Sequence, residues 1–296
     1  MAMSEQPAVT SSARVTGDID TVISVEEVAR QAQAIARDVS LADLDALAGN
    51  APHLRIDNLR AGYGRMEILH DFNLRIGRKQ ALCLIGPNGA GKSTVLHSIF
   101  GFTRIFSGSI SIDADGGMRE VTSLAPNAKL STAGIAYILQ DKSVFPNMTV
   151  EENLWMGAYL MDRAQAKVAA EKVFDKYPRL AARRKHAAKV LSGGERRLLE
   201  ISRALVMNPQ VLLVDEPSIG LEPRFIDMVF DILGDLQHNE GKTVIIVEQN
   251  AKKGLEFADI GYVLLSGKLA LAGKAGDLLR NPDVGRLFLG GQAGGG

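Results

Sequence analysis

The chain has 296 residues, 46% of them hydrophobic, with 34 basic and 34 acidic side chains and so no net charge at pH 7. This length holds one large α/β domain or two small ones, and the charge balance excludes both a basic field for nucleic acid and the acidic excess of a disordered chain. Cys83 is the single cysteine, so disulfides are excluded and a buried thiol in a reducing compartment is expected.

No run approaches the roughly 18 apolar residues that span a bilayer, and the N-terminus lacks a basic-then-apolar signal. Any work at a membrane would need other chains to hold this one there. Residues 1–50 carry three arginines against eight acidic residues, a net charge of −5, and read as an N-terminal extension. Its first 20 residues are rich in Ser, Thr and Ala and predict a mobile tail. Ser24 with Glu27 then forms a capping box, and Val25, Val28, Ala32, Ile35 and Val39 make one apolar helical stripe. Ser40 with Asp43 offers a second cap, leading Leu41, Leu44 and Leu47 to a stop at Gly49. Such helices either pack on their own domain or serve as a docking arm for a partner subunit. An acidic segment is poorly suited to anionic lipid.

Residues 54–59, 68–76 and 80–85 predict strands, the last a short apolar run of the kind buried in a parallel sheet. Between the first two, Tyr63 is a candidate to stack its ring on a base. Residues 86–94 read GPNGAGKST, a phosphate-loop pattern set between strand and helix. Gly86, Gly89 and Gly91 let the backbone curl, so that the N–H groups of Asn88, Ala90 and Thr94 and their neighbours can point at phosphate oxygens. Lys92 would neutralise those oxygens, and Ser93 would ligate Mg²⁺.

Strand and turn material follows over residues 109–112 and 134–139, ending at Gln140, an amide placed to reach a metal and to move. Thr149 with Glu152 starts a helical stretch that runs to about residue 189. Its basic cluster, Arg179, Arg183, Arg184, Lys185 and Lys189, lacks interleaved aromatics and reads as a solvated helix face. Ser192, Gly193, Gly194 and Glu195 then open a helix over residues 196–207, a second anion-binding terminus. Residues 211–216 form a buried strand ending in Asp215, which would hold Mg²⁺ through water, and Glu216, which would polarise the attacking water. Residues 243–248 give another buried strand, followed by Gln249, Asn250 and a helix to residue 258. Residues 262–266 and 268–272, around Gly267, read as a closing hairpin.

GPNGAGKST, Gln140, LSGGE and LLVDEP, in this order and spacing, resemble the ATP-binding-cassette ATPases over residues 54–290. LSGGERRLLEISRAL, EPSIGLEP, VEQN and NPDVGRLFLG look most like the LivF-type ATPase subunits of branched-chain amino-acid importers. The resemblance implies an α/β fold: a P-loop core with a mixed sheet, an antiparallel β subdomain and a helical subdomain at about residues 141–200. The nucleotide-binding domain would span residues 51–296, behind the extension at 1–50. It implies ATP and Mg²⁺ as cofactors, with Tyr63 on adenine, residues 88–94 on the phosphates, Ser93 and Gln140 on Mg²⁺, and Glu216 as catalytic base. Ser192, Gly193 and Gly194 would contact ATP held by a second cassette, either another copy or a LivG-like subunit. Transmembrane permease subunits and, indirectly, an external binding protein are the further partners implied, at the cytoplasmic face of the membrane and without nucleic acid. The chain departs from the general family pattern at Gln249, where a switch histidine is usual. Glutamine donates a hydrogen bond but cannot become imidazolium, which predicts slow hydrolysis at this chain's own site. Three readings follow: an importer ATPase, a weakly hydrolysing regulatory subunit, and a soluble cassette protein outside transport.

Overall fold

The structure, a computed structural model, describes residues 39–114, 116–139 and 143–289. The expectations for residues 1–38 and for Gln140 lie outside the described residues. The first described helix, α1 (Leu41–Leu47), starts with the expected capping box. The Ser40 hydroxyl accepts the Asp43 N–H at 3.2 Å, while the Asp43 carboxylate accepts the Ser40 N–H. Leu44 is fully buried in the main core, Arg75 donates to the Asp45 carboxylate at 3.0 Å, and Gln80 donates to the Leu47 carbonyl. This segment is thereby fastened to the body of the protein.

Strands β1 (Pro52–Tyr63), β2 (Met66–Gly77), β4 (Arg104–Ala114) and β5 (Gly117–Glu120) form an antiparallel sheet in the order β2-β1-β4-β5. A second, six-stranded sheet has the order β10-β9-β3-β8-β7-β6. Its strands are β3 (Ala81–Ile85), β6 (Ile135–Ile138), β7 (Val211–Asp215), β8 (Thr243–Val247), β9 (Ile260–Leu265) and β10 (Lys268–Lys274). All its pairings are parallel except the β9–β10 hairpin.

β3 sits inside this sheet with every residue buried, as its unbroken apolar sequence requires. Alternation divides its two faces. Leu82 and Leu84 join the core shared with the antiparallel sheet, whereas Cys83 and Ile85 join a cluster with Leu255, Val263 and Leu278. Each fully buried leucine stabilises by about 1.5–3 kcal/mol. Burial also pushes the Cys83 thiol far up, so it stays protonated and inert.

A helical region stands apart with its own smaller core. Its elements are α4 (Val150–Gly157), α5 (Arg163–Lys176), α6 (Pro178–Ala181) and the first part of α7 (Gly193–Leu205); they bury Val150, Leu154, Phe174, Leu180 and Leu199 together. Preceding them in the chain are α2 (Lys92–Phe100) and α3 (Pro126–Ser131), and following them are α8 (Pro223–His238), α9 (Ala251–Phe257), α10 (Ala275–Arg280) and α11 (Pro282–Phe288). Thr149 and Glu152 make the expected capping box at the start of α4. Buried Asn153 ties down the preceding loop by accepting the Phe145 N–H and donating to the Phe145 and Thr149 carbonyls.

The basic cluster is largely the solvated face expected, with Arg179, Arg183, Lys185 and Lys189 exposed and Arg184 half-buried, but three of its members are also ion-paired. Arg184 bridges Glu151 and Glu171 and lies over the Phe174 ring at 4.6 Å, Lys185 pairs with Glu151, and Arg183 reaches Glu195. The acidic partners come from α4, α5 and α7, so Arg183, Arg184 and Lys185 form a clamp across the helical region.

Candidate active site

The phosphate loop leaves β3 at its C-terminal edge and enters α2 through glycines with positive φ: 148° at Gly86, 79° at Gly89 and 99° at Gly91. Only glycine adopts these without strain, and the last serves as the N-cap of α2 with no side chain in the way. Asn88 and Gly89 are exposed at the loop crest, while Ala90, Gly91, Lys92 and Thr94 are buried beneath it. Lys92 curls back so that Nζ donates to the carbonyls of Gly86 and Pro87 at 2.9 and 3.0 Å. Burial lowers its pKa, and the nearby Glu216 and Asp215 carboxylates act in the opposite sense.

β7 delivers the carboxylates to the same edge. The Ser93 hydroxyl donates to Asp215 Oδ1 at 3.0 Å, and the Tyr137 hydroxyl at the end of β6 donates to Oδ2 at 2.8 Å. A neutral and an anionic oxygen facing one another suit a hard cation, so the donor set fits Mg²⁺ better than a soft metal. Gln140, the third metal residue named from sequence, lies outside the described residues. Glu216 follows at φ 42°, a left-handed conformation that costs a non-glycine residue roughly 1–2 kcal/mol. Its N–H donates to the Val247 carbonyl at 2.8 Å, which locks it to β8. Burial first, and then the Asp215 charge, raise the pKa of the Glu216 carboxyl, against the pull of Lys92. A carboxylate tuned upward in this way is a better proton acceptor.

Tyr63 is 43% exposed at the end of β1, with its ring edge-on to His97 of α2 and its hydroxyl bonded to His97 Nδ1. Gln249 is exposed just past β8, between buried Glu248 and Asn250, and its carbonyl accepts the Ala251 N–H. The phosphate loop, Asp215, Glu216 and Gln249 thus lie at the C-terminal ends of β3, β7 and β8, while Tyr63 ends β1 of the antiparallel sheet and reaches α2 through His97.

Ser192, Gly193, Gly194 and Glu195 are elsewhere, at the start of α7. Ser192 and Glu195 form a reciprocal capping box, with 3.2 Å from the Glu195 N–H to the Ser192 hydroxyl and 2.9 Å from the Ser192 N–H to the Glu195 carboxylate. Ser192, Gly194 and Glu195 line a hollow with Arg179, Leu198, Phe225 and Met228, none of them from the phosphate loop. A Cβ on Gly194 would meet the Phe225 ring at 2.3 Å, so glycine is required there by close approach of α8.

Tyr137, Phe225 and the contact made by Gly267 escaped the sequence reading. The Gly267 N–H in the β9–β10 turn donates to the Ala90 carbonyl at 2.9 Å, and its own carbonyl accepts the His70 N–H at 3.0 Å. The closing hairpin therefore buttresses the phosphate loop from below. A glycine turn was evident in the sequence, but its target 177 residues upstream was not.

The family model described as ABC transporter matches residues 69–219. A probable branched-chain amino acid transport ATP-binding protein LivF from Archaeoglobus fulgidus is 40% identical over 237 residues, covering 80% of this chain and 98% of that protein. The high-affinity branched-chain amino acid transport ATP-binding protein BraG from Pseudomonas aeruginosa is also 40% identical, over 80% of this chain and all of that one. Among solved structures, a nucleotide-free ATP-binding cassette from an ABC transporter superimposes with a TM-score of 0.70 at 26% identity, covering 81% of this chain and 100% of that one. With the phosphate loop, the β7 carboxylates and the capped α7 terminus in place, the chain belongs to the ABC transporter family and is one of its ATP-binding cassettes.

Proposed function

We propose that this cassette powers a membrane importer for branched-chain amino acids or related small polar solutes, as one of two cassettes that close on ATP. The observation that carries the reading is the junction of Ser93 with Asp215 beside Lys92 and Glu216, in a chain whose relatives are named for branched-chain amino acid transport. Tyr63 stacks the adenine, and the backbone of residues 88–94 holds the phosphates. Lys92 exchanges the Gly86 and Pro87 carbonyls for phosphate oxygens. Ser93, Asp215 and Gln140 would hold Mg²⁺, which would supply charge neutralisation for the phosphates. Glu216 orients the attacking water and takes its proton.

Ser192, Gly193 and Gly194 of each cassette complete the other's site. A helix N-terminus brought from a partner stabilises transition-state charge only when the pair is closed. The second cassette is another copy or a LivG-like subunit. A cleft lined by Tyr137, Leu139, Met156, Tyr159 and Arg203 receives a permease segment. The exposure of Leu139 (41%), Trp155 (43%) and Tyr159 (59%) around it supports a protein-covered surface. The permease holds the chain at the cytoplasmic face of the membrane. Among the described residues no helix is long and apolar enough to cross one.

A second reading, a regulatory cassette that hydrolyses weakly, is favoured by exposed Gln249 in place of an imidazole. Co-purification with the native membrane subunits and binding protein, followed by ATPase assays with and without them, separates the two. The importer reading expects a rate stimulated by the assembled transporter and by the amino acid. Failure to assemble would overturn it, and a silent but ATP-binding assembly would leave the regulatory reading.

A further inference from the structure

We infer that Glu248 is a positioning residue that ties the loop carrying Gln249 to the loop after β7, so that the switch position and the approach to α7 move together. The inference rests on the cassette reading above. Glu248 is 2% exposed at the end of β8, and its carboxylate gathers donors from both loops. The Ser218 hydroxyl donates to Oε1 at 2.7 Å and the Ser218 N–H to Oε2 at 3.3 Å, while the Asn250 N–H donates to Oε1 at 3.1 Å. Gln249 is thus flanked by two residues engaged at one carboxylate. Asn250 is fixed further as the N-cap of α9, its side chain accepting the Lys253 N–H at 3.1 Å.

Asp215 pairs in register with Val247, and the Glu216 N–H donates to the Val247 carbonyl, so the two loops leave the sheet side by side. Gly254 of α9 lies close beneath, where an added Cβ would come within 3.0 Å of the Glu248 Cβ.

On its far side the Ser218 loop runs to α7. The Ser218 carbonyl accepts the Leu221 N–H at 3.3 Å, and a Cβ on Gly193 would touch the Leu221 side chain at 4.0 Å. Phe225 then fills the space that Gly194 leaves open. Hydrogen bonds therefore lead from Asn250, next to Gln249, through Glu248 to Ser218 and Leu221, and the Leu221 side chain points toward the space beside Gly193. A displacement of Gln249 toward a γ-phosphate in this chain's own site is passed to the surface this chain offers to its neighbour's ATP. Such coupling is carried by packed, hydrogen-bonded elements that shift together.

The test uses the full chain assembled with its membrane subunits and compares Glu248→Gln, Ser218→Ala, their combination and Ser218→Thr. Glutamine keeps the shape of the side chain but replaces one acceptor by a donor facing N–H groups, and threonine retains the hydroxyl of Ser218. We expect each of the first two to lower kcat about tenfold, with KM for ATP changed less than about twofold, and the combination to be no worse than the poorer single variant. Ser218→Thr should recover at least about half of the wild-type kcat, and the melting temperatures should stay within about 2 °C of one another. Unchanged kcat, losses that multiply in the combination, or a fall in melting temperature with KM rising in parallel would each overturn the inference. If those results appear while the wild-type chain binds and hydrolyses ATP, the cassette reading stands without the inference. A wild-type chain that does neither removes both.

Discussion

The sheet edge and the helical region divide the chemistry between two kinds of construction. At the edge, side chains are set by a buried six-stranded sheet whose strand ends bring Ser93, Tyr137, Asp215 and Glu216 together. The start of α7, by contrast, rests on a smaller core and on a surface clamp of charges centred on Arg184. The edge holds a raised-pKa carboxylate and a strained backbone, features that persist only where neighbours over-determine them. The α7 terminus carries a capping box, an exposed Gly193 and a Gly194 buried against Phe225. On the proposed function, one region holds reacting groups still and the other is offered to a partner.

The sharpest way to break this comparison is at Glu216. Replacing it with Gln should lower ATP hydrolysis by about 10²–10⁴-fold while ATP binding persists. Light scattering should then find an ATP-held pair of cassettes. A rate within tenfold of wild type would remove the chemical role from the sheet edge.

Gly194→Ala tests the other region. The added methyl would strike the Phe225 ring, so hydrolysis should fall about 10–100-fold through loss of the paired state. ATP affinity of the isolated chain, read by fluorescence titration, should not change. Weakened binding in the isolated chain would mean that the two regions are not independent.

The next effect concerns stability of the sheet side. His53 is 3% exposed and bonded to the Thr243 hydroxyl, and its burial first, then the Arg78 charge, hold its pKa down to about 4. The folded protein favours the neutral ring, whereas the unfolded chain takes up a proton near pH 6.5. Stability should therefore be lost as pH falls from about 6.5 toward 4, at up to about 1.4 kcal/mol per pH unit from this group. Urea titrations of wild type and His53→Gln across that window should show a shallower slope in the variant.

The smallest expected effect sharpens the picture of the clamp. Arg184→Met should lower the melting temperature by about 2–4 °C, since partly exposed ion pairs contribute modestly. Nucleotide binding at the sheet edge should be untouched. A loss of binding as large as the loss of stability would show that the clamp reaches the phosphate loop.

Much of this molecule was legible along the chain because the relevant physics is local. The cap at Ser40 and the capping box at Thr149 each use residues three apart, and both form. The apolar runs before the phosphate loop and before Asp215 became β3 and β7, since uninterrupted hydrophobic sequence demands burial on both faces. Glycine spacing announced the phosphate loop, whose positive φ angles L side chains rarely adopt. Only the tertiary structure decided what those local pieces meet. The Tyr137–Asp215 bond spans 78 positions and depends on β6 lying beside β7. Strand order likewise sets Glu248 against Ser218 and the Gly267 turn beneath Ala90. Periodicity tells a strand which face to bury, but it carries no record of the neighbour in the sheet. The neighbour is chosen by the summed packing of residues far apart in the chain.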